Sequence, residues 1–246
     1  MFKASSAERV IGTLRFEPLI RVLAIVLMGG LCAAAATAHD VSELDRTFLE
    51  NLSGFQPFPH LYLGAKHMVT GYDHLLYLAG VIFFLSRKSE IVLYVSLFAL
   101  GHSFTLIAGV LMEVRVNASL VDAVIGFSVV YKAFENLGGF RALGGPWINT
   151  RLAVLGFGLI HGLGLATKLQ DLAVDTEGLL GNLLLFNIGV ELGQLAALFC
   201  LYLLLRAARQ SESPGARIWP NILLMSAGFL IMGIHLYDFA VQNVGA

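Results

Sequence analysis

Three histidines recur at seven-residue intervals in the first apolar stretch of the chain. Seven residues advance an α-helix by nearly two turns, so His60, His67 and His74 share one helix face. Neighbouring members lie about 10.5 Å apart along a straight helix, which is too far for two of them to bind one ion. Either the histidines are successive binding positions along a straight helix, or the helix unwinds near Gly71 and brings His67 toward Asp73 and His74.

The side chains of this face suit metal binding. Imidazole and carboxylate are ligands for borderline divalent metals such as nickel, cobalt and zinc. Cysteine is absent from these positions and methionine is sparse, which disfavours a copper(I) site. The alternative for His60, and for His67, is a water-facing histidine at the membrane interface. The Asp73-His74 pair is harder to explain in that way.

Histidines also stand in the middle of two later apolar stretches. His102 lies between Gly101 and Ser103, and His161 is flanked by glycines. A serine in a helix can bond its own backbone, so Ser103 alone indicates little. An ionisable group inside a bilayer costs several kcal/mol, so we expect these histidines to face a shared polar interior.

The fifth apolar stretch carries one polar stripe. Asn187, Glu191 and Gln194 are spaced i, i+4 and i+7 on an otherwise apolar helix. The stripe is a candidate part of a metal route, and the alternative is a structural row of interhelical hydrogen bonds. Gly189 and Gly193 form a small-xxx-small pair that lets helices approach closely in lipid.

Two further groups have both a functional and a structural interpretation. Lys132 and Glu135 are spaced i, i+3 and can form a structural ion pair beside Asn136. A free ammonium there would repel a cation, so Lys132 puts the role of Glu135 as a ligand in doubt. His235 and Asp238, also spaced i, i+3, suit a site or an interface anchor equally.

The composition predicts that a lipid bilayer surrounds these elements. Of the 246 residues 57% are hydrophobic and 13% are charged, against about 25% charged in soluble domains. Six apolar stretches approach the roughly 20 residues that a membrane helix needs. We therefore predict an all-α, polytopic membrane helix bundle. The stretches run approximately His60–Leu85, Ile91–Met112, Ala118–Leu137, Ile148–Leu169, Leu179–Leu205 and Ile218–Phe239.

Composition and cysteine usage also exclude several classes of protein. The net charge is −1 and the basic residues are scattered, so nothing indicates a nucleic-acid partner. The two cysteines fall in a targeting segment (Cys32) and in an apolar stretch (Cys200). A disulfide, a zinc knuckle and a CxxC redox site are therefore not expected.

The N-terminal sequence predicts a cleavable signal peptide over residues 1–38. A basic region precedes the apolar run Val22–Leu31, and Ala36–Ala38 fits the A-x-A cleavage pattern. The alternative is an uncleaved signal anchor. We assign residues 39–59 to a short external segment and 60–246 to a six-helix transmembrane domain. A mature N-terminal His39 is either a metal-capture site or an ordinary flexible terminus.

Loop charges predict the orientation in the bacterial cytoplasmic membrane. Basic residues concentrate in the first, third and fifth joins, which the positive-inside rule places in the cytoplasm. The mature N-terminus and the C-terminus would then both be external, on the periplasmic side. The basic residues of these joins and the adjoining helix start are Arg87, Lys88, Arg141, Arg151, Arg206, Arg209 and Arg217.

The segment from His67 to His74 resembles the H-x5-D-H motif of the HupE/UreJ family. The resemblance continues, in order, through Gly101-His102-Ser103, Glu135-Asn136-Leu137, His161-Gly162 and the segment from Phe186 to Gln194. It implies a signal-bearing, six-helix nickel or cobalt permease associated with hydrogenase and urease systems. By this resemblance the residues that line the metal route are His67, Asp73, His74, His102, His161 and Glu191.

The sequence thus favours a permease that passes Ni²⁺ or Co²⁺, with Zn²⁺ as an alternative cargo, and does not favour an enzyme. It carries no nucleotide-binding motif, so an ion gradient or a separate partner would supply the energy. Metal-delivery or hydrogenase and urease maturation proteins are the expected partners. The alternatives are an intramembrane zinc-dependent hydrolase and a metal-sensing or accessory subunit without flux.

Overall fold

The computed structural model describes residues 53–83, 85, 87–145, 149–170, 177–209 and 214–244. These ranges contain eight helices joined by turns and no strand, which confirms the all-α prediction. The signal peptide, His39 and residues 40–52 lie outside the described residues. The helices are α1 (Pro57–Thr70), α2 (Tyr72–Ile82), α3 (Lys88–Leu111), α4 (Ala118–Asn136), α5 (Gly139–Ala142), α6 (Thr150–Gln170), α7 (Leu179–Arg209) and α8 (Pro214–Val244).

Four of the described helices, α3, α6, α7 and α8, are long and apolar enough to cross a membrane. The predicted membrane bundle is confirmed in that form. The first apolar stretch is divided between α1 and α2, and α4 contains Asp122, Lys132 and Glu135. These features explain why neither stretch is among the four, and the count of six spans stays a prediction.

The first apolar stretch breaks at Gly71. The backbone there is extended, with φ −73° and ψ 94°, and it separates α1 from α2. Hydrogen bonding continues across the break, because Gly71 N donates to His67 O at 2.9 Å and Leu75 N donates to Gly71 O at 3.1 Å. Of the two arrangements that the histidine spacing allowed, the structure has the interrupted helix.

Six of the helices pack in pairs through glycine contacts: α1 with α7, α3 with α6, and α4 with α8. At each contact a β-carbon on the glycine would overlap the backbone of the facing helix. Close backbone approach of this kind allows tight packing of helices in lipid. The glycines are Gly64, Gly189 and Gly193 for the first pair, Gly101, Gly158 and Gly162 for the second, and Gly126 and Gly228 for the third.

The short helix α2 lies among these pairs, in contact with α1, α3, α4, α7 and α8. Its buried residues include Asp73, His74 and Tyr77. We call the two ends of the bundle the Pro57 end, where α1 begins, and the Asn136 end, where α4 finishes. Because α2 starts at the Gly71 break, its polar first turn lies in the interior, between the two ends.

Candidate metal centre

Three histidines from three different helices converge beside the break. His67 on α1, His74 on α2 and His102 on α3 each offer a ring nitrogen, and these nitrogens all lie within 4.8 Å of one another. The ring centroids are 5.2 Å apart for His67 and His74, and 5.8 Å apart for His74 and His102. Imidazole nitrogens bound to one ion lie about 3–4 Å apart at bond lengths near 2.1 Å. Small ring rotations would therefore close the three nitrogens around a metal.

The break at Gly71 is what makes this convergence geometrically feasible. On a straight helix His67 and His74 would be about 10.5 Å apart along the axis. Glycine is also required at the break for steric reasons. A β-carbon on Gly71 would lie 2.7 Å from His74 Nδ1 and 3.2 Å from Asp73 Oδ1.

Asp73 orients the central histidine. His74 Nδ1 lies 2.8 Å from Asp73 Oδ1, and the same oxygen accepts the backbone N–H of His74 at 2.9 Å. An ionised carboxylate only accepts hydrogen bonds, so Nδ1 carries the proton and Nε2 keeps its lone pair. A carboxylate that fixes a ligand imidazole in this way is a common outer partner in metal sites.

His161 on α6 lies beside the three histidines and is oriented by backbone. Its ring centroid is 5.0 Å from that of His74, and its Nδ1 donates to Phe157 O at 2.6 Å. A carbonyl can only accept, so Nε2 of His161 also keeps its lone pair. We call His67, His74, His102 and His161 the histidine cluster.

The cluster contains an unusual concentration of unsatisfied nitrogens. His67 Nε2, His74 Nε2, His161 Nε2 and both ring nitrogens of His102 are buried and have no hydrogen-bond partner among the described residues. Buried polar atoms are nearly always satisfied, so each such group requires an explanation. A cation that binds imidazole lone pairs fits this donor set, which would otherwise pay an uncompensated desolvation cost.

Aromatic rings enclose the cluster, and the sequence analysis missed them. Phe98 lies 4.9 Å from His161 and stacks on His102 at 6.3 Å, and Tyr77 lies 5.8 Å from His161, all between ring centroids. Phe98 and Phe157 each stand four residues before a cluster histidine, one turn away on the same face. That spacing could have identified them. The rings exclude water around the imidazoles.

Glu191 does not join the cluster. Its side chain is exposed on α7 and makes no hydrogen bond or ion pair with another described residue. Asn187 and Gln194 of the same stripe are buried, and their amides donate to Leu183 O at 3.2 Å and Val95 O at 3.5 Å. Glu191 is about 40–60° around the helix from these two, and this rotation places it on the outer face.

The outlying histidines lie toward the Pro57 end. His60 is buried, donates from Nδ1 to Gln56 O at 2.8 Å, and lines a small cavity that also contacts Phe186. His235 on α8 is buried, with Nδ1 3.8 Å from Asp238 Oδ2. Neither histidine is part of the cluster.

The third apolar stretch ends in a polar network at the Asn136 end. Lys132 Nζ lies 2.7 Å from Glu135 Oε2, so the predicted ion pair is present. Thr150 donates its hydroxyl to Glu135 Oε1 at 2.8 Å. Asn136 Nδ2 donates to Gly80 O and to Asn221 Oδ1, at 2.8 and 2.9 Å. Glu135 and Asn136 therefore lie beyond the histidine cluster and not within it.

Comparisons with known proteins place the chain in a family. No curated protein and no solved structure gives a significant match. The family model described as HupE / UreJ protein matches residues 43–243, which is most of the chain and includes the whole cluster. That family consists of membrane proteins related to metals, with transporter or accessory roles, and its members are not typically enzymes. The chain belongs to the HupE/UreJ protein family.

Proposed function

We propose that the protein is a permease for a divalent transition metal, with nickel or cobalt as cargo and zinc as the alternative. The observation that carries this proposal is the set of unsatisfied, buried imidazole nitrogens contributed by four helices. Nitrogen ligands of this type suit nickel, cobalt and zinc better than magnesium or calcium. Within the cluster His67, His74 and His102 would bind the ion, His161 would be an adjoining ligand, and Asp73 would orient His74.

Polar groups on either side of the cluster support transport over static binding. His60 lies two turns before His67 on α1, toward the Pro57 end. Glu135 lies at the opposite end, beyond Tyr77 and Gly80 of α2. With the Pro57 end external, as the loop charges predict, an ion would enter near His60, pause at the cluster and leave near Glu135 into the cytoplasm.

Proton competition would assist release. A metal and a proton bind the same lone pairs, so protonation of the imidazoles weakens metal binding. Asp73 keeps Nδ1 of His74 protonated, which leaves Nε2 as the atom at which this exchange occurs. Transfer to maturation partners of nickel enzymes would follow on the cytoplasmic side.

One observation favours a second candidate, an intramembrane zinc hydrolase. Three histidines close to one point match the ligand set of a catalytic zinc, which leaves a fourth position for water. A hydrolase, or an accessory metal sensor, would bind the ion without moving it. Net flux therefore separates both of these functions from a permease.

The decisive experiment is metal uptake into proteoliposomes that contain the purified protein and a metal-sensitive dye. We expect uptake of Ni²⁺ or Co²⁺, and we expect His74→Ala to reduce it by about 100-fold or more. Loss of an outer partner of a metal ligand already costs about 10–100-fold, and loss of the ligand itself costs more.

A matched control is His235→Ala, which removes a buried histidine outside the cluster. This variant should transport within about twofold of the wild-type rate. Tight metal binding without flux would favour the hydrolase or sensor, and equal uptake by both variants would exclude the cluster as the transport site.

A further inference from the structure

Two lysine–carboxylate pairs lie near opposite ends of α4. Lys168 on α6 pairs with Asp122 at 2.8 Å toward the Pro57 end, and Lys132 pairs with Glu135 at 2.7 Å toward the Asn136 end. The two carboxylates are thirteen residues apart, which is about 20 Å along the helix. An ion that crosses the bundle would pass the level of both pairs.

The Lys132 pair lies directly beyond the histidine cluster. The Cγ of Lys132 is 3.1 Å from the position that a β-carbon on Gly80 would occupy. Gly80 is six residues after His74 on α2, or about 9 Å along the helix axis. Tyr77 lies between them, in contact with His161. The pair therefore lies beyond the cluster in the direction of the Asn136 end.

The two pairs differ in what must move to open them. Lys168 and Asp122 join two helices, and Asp122 is buried. Lys132 and Glu135 stand on the same helix, and the side chain of Glu135 is 23% exposed. Rotation of the Lys132 side chain alone opens the second pair and leaves the contact between Thr150 of α6 and Glu135 of α4 in place.

The ammonium of Lys132 occupies an oxygen that a metal ion would use. Both oxygens of Glu135 are engaged, Oε2 by Lys132 and Oε1 by the hydroxyl of Thr150. A lysine ammonium is a compact point charge on a flexible stem. It lies 2.7 Å from the carboxylate and offsets its charge.

We propose, on the basis of the permease function above, that Glu135 is the exit site for the divalent cation. In the absence of metal, the ammonium of Lys132, on the same helix, occupies this site. The arriving ion displaces Lys132 from Oε2 and binds the carboxylate, with the Thr150 hydroxyl as a neighbouring oxygen donor. Return of the lysine then expels the ion toward the Asn136 end. The Lys132 ammonium thus competes with the metal ion for Glu135, in addition to forming a structural ion pair.

The test is the number of Ni²⁺ ions bound to the full-length protein in detergent, measured by equilibrium dialysis. We expect one ion in the wild type, held by the cluster, and two in Lys132→Met, because the exit site has lost its competitor. Adding Glu135→Gln to Lys132→Met should remove the second ion and leave the first. Lys132→Arg keeps the cation and should bind one.

The second ion pair provides the matched control. Lys168→Met also unpairs a carboxylate of α4, but it should still bind one ion. A second ion in Lys168→Met would mean that any unpaired carboxylate binds nickel, and this would overturn the exit site. If Lys132→Met folds poorly, Lys132→Gln removes the charge and keeps a hydrogen-bond donor to Glu135.

Two other outcomes would contradict the proposal. One ion in both Lys132→Met and Lys132→Gln would show that Lys132 does not compete for a site. A second ion that survives Glu135→Gln would place the additional site elsewhere. Failure of the proposed function would look different, because the wild type itself would then bind no ion or show no uptake in proteoliposomes.

Discussion

The first and fifth apolar stretches carry polar side chains at the same spacing, yet the fold uses them differently. His67 and His74 are seven residues apart, and the break at Gly71 brings their rings to 5.2 Å. Asn187 and Gln194 are also seven residues apart, but they lie on the uninterrupted helix α7 and donate to separate backbone carbonyls. Equal spacing therefore produces a convergent site in one stretch and two separate contacts in the other.

The difference shows what a backbone break adds to helical periodicity. A continuous helix fixes each side chain by its rotation of 100° per residue and its rise of 1.5 Å. The extended conformation at Gly71 interrupts both regularities, and α2 begins with a first turn in which the Asp73 carboxylate accepts the backbone N–H of His74. Non-helical backbone inside a membrane is tolerated where protein buries it, as happens here.

Asp73→Asn gives the largest effect that distinguishes the two stretches. The variant keeps the shape of the side chain but removes the charge that orients His74. We expect nickel affinity to fall by about 10–100-fold, the usual cost of losing an outer partner of a metal ligand. Isothermal titration calorimetry with Ni²⁺ would measure the affinity of the variant and of the wild type.

The control for this change is Asp238→Asn on α8, which alters an aspartate beside a histidine outside the cluster. Its nickel affinity should stay within about twofold of wild type. An unchanged affinity in Asp73→Asn would show that the Asp73–His74 contact does not prepare a metal ligand.

Gly71→Ala tests the break itself, with a smaller expected effect. The φ of −73° suits alanine, so the cost is steric, from a β-carbon 2.7 Å from His74 Nδ1. Overpacking of this kind costs about 1–3 kcal/mol, and we expect nickel affinity to fall about tenfold. Gly156→Ala is the matched control, since a β-carbon there meets no atom within 4 Å. Equal nickel affinities in Gly71→Ala and Gly156→Ala would show that the conformation at Gly71 is not needed for the metal site.

Much of the fold follows from the sequence by physical rules. Runs of apolar residues separated by charged joins predict helices at these positions, since membrane spans must satisfy their own backbone. The seven-residue spacing of His60, His67 and His74 predicts either separate sites along a straight helix or a break at Gly71. The structure contains the break. Spacing alone left both arrangements open, because the choice depends on how α2 packs among its neighbours.

The parts that the sequence did not predict depend on contacts between helices. Periodicity assigns Glu191 to the same stripe as Asn187, but it cannot say which edge of that stripe the neighbouring helices cover. Phe98 and Phe157 are ordinary apolar residues in a membrane helix. Phe98 gains a role only where α3 and α6 place its ring against His102 and His161, and Phe157 acts through its backbone carbonyl, which accepts from His161 Nδ1. The close approach of these two helices comes from glycine contacts.

Glu191→Gln has the smallest expected effect on nickel binding. It is the most direct test of the difference between the first and the fifth apolar stretches. Like Asp73→Asn, it replaces one carboxylate in an apolar stretch by an amide of similar shape. Because Glu191 is exposed on α7 and Asp73 is buried beside His74, we expect less than about a threefold change in nickel affinity, which corresponds to about 0.6 kcal/mol.

The same substitution should stabilise the protein. An acidic group at the centre of a membrane helix costs about 2.5–3.5 kcal/mol on insertion scales, so its neutral amide should raise the midpoint of thermal unfolding in detergent or bilayer. A loss of nickel affinity as large as that of Asp73→Asn, without this stabilisation, would show that Glu191 faces the cluster when metal is bound. Helix α7 would then rotate during transport, and the contrast between the two stretches would describe only the resting state.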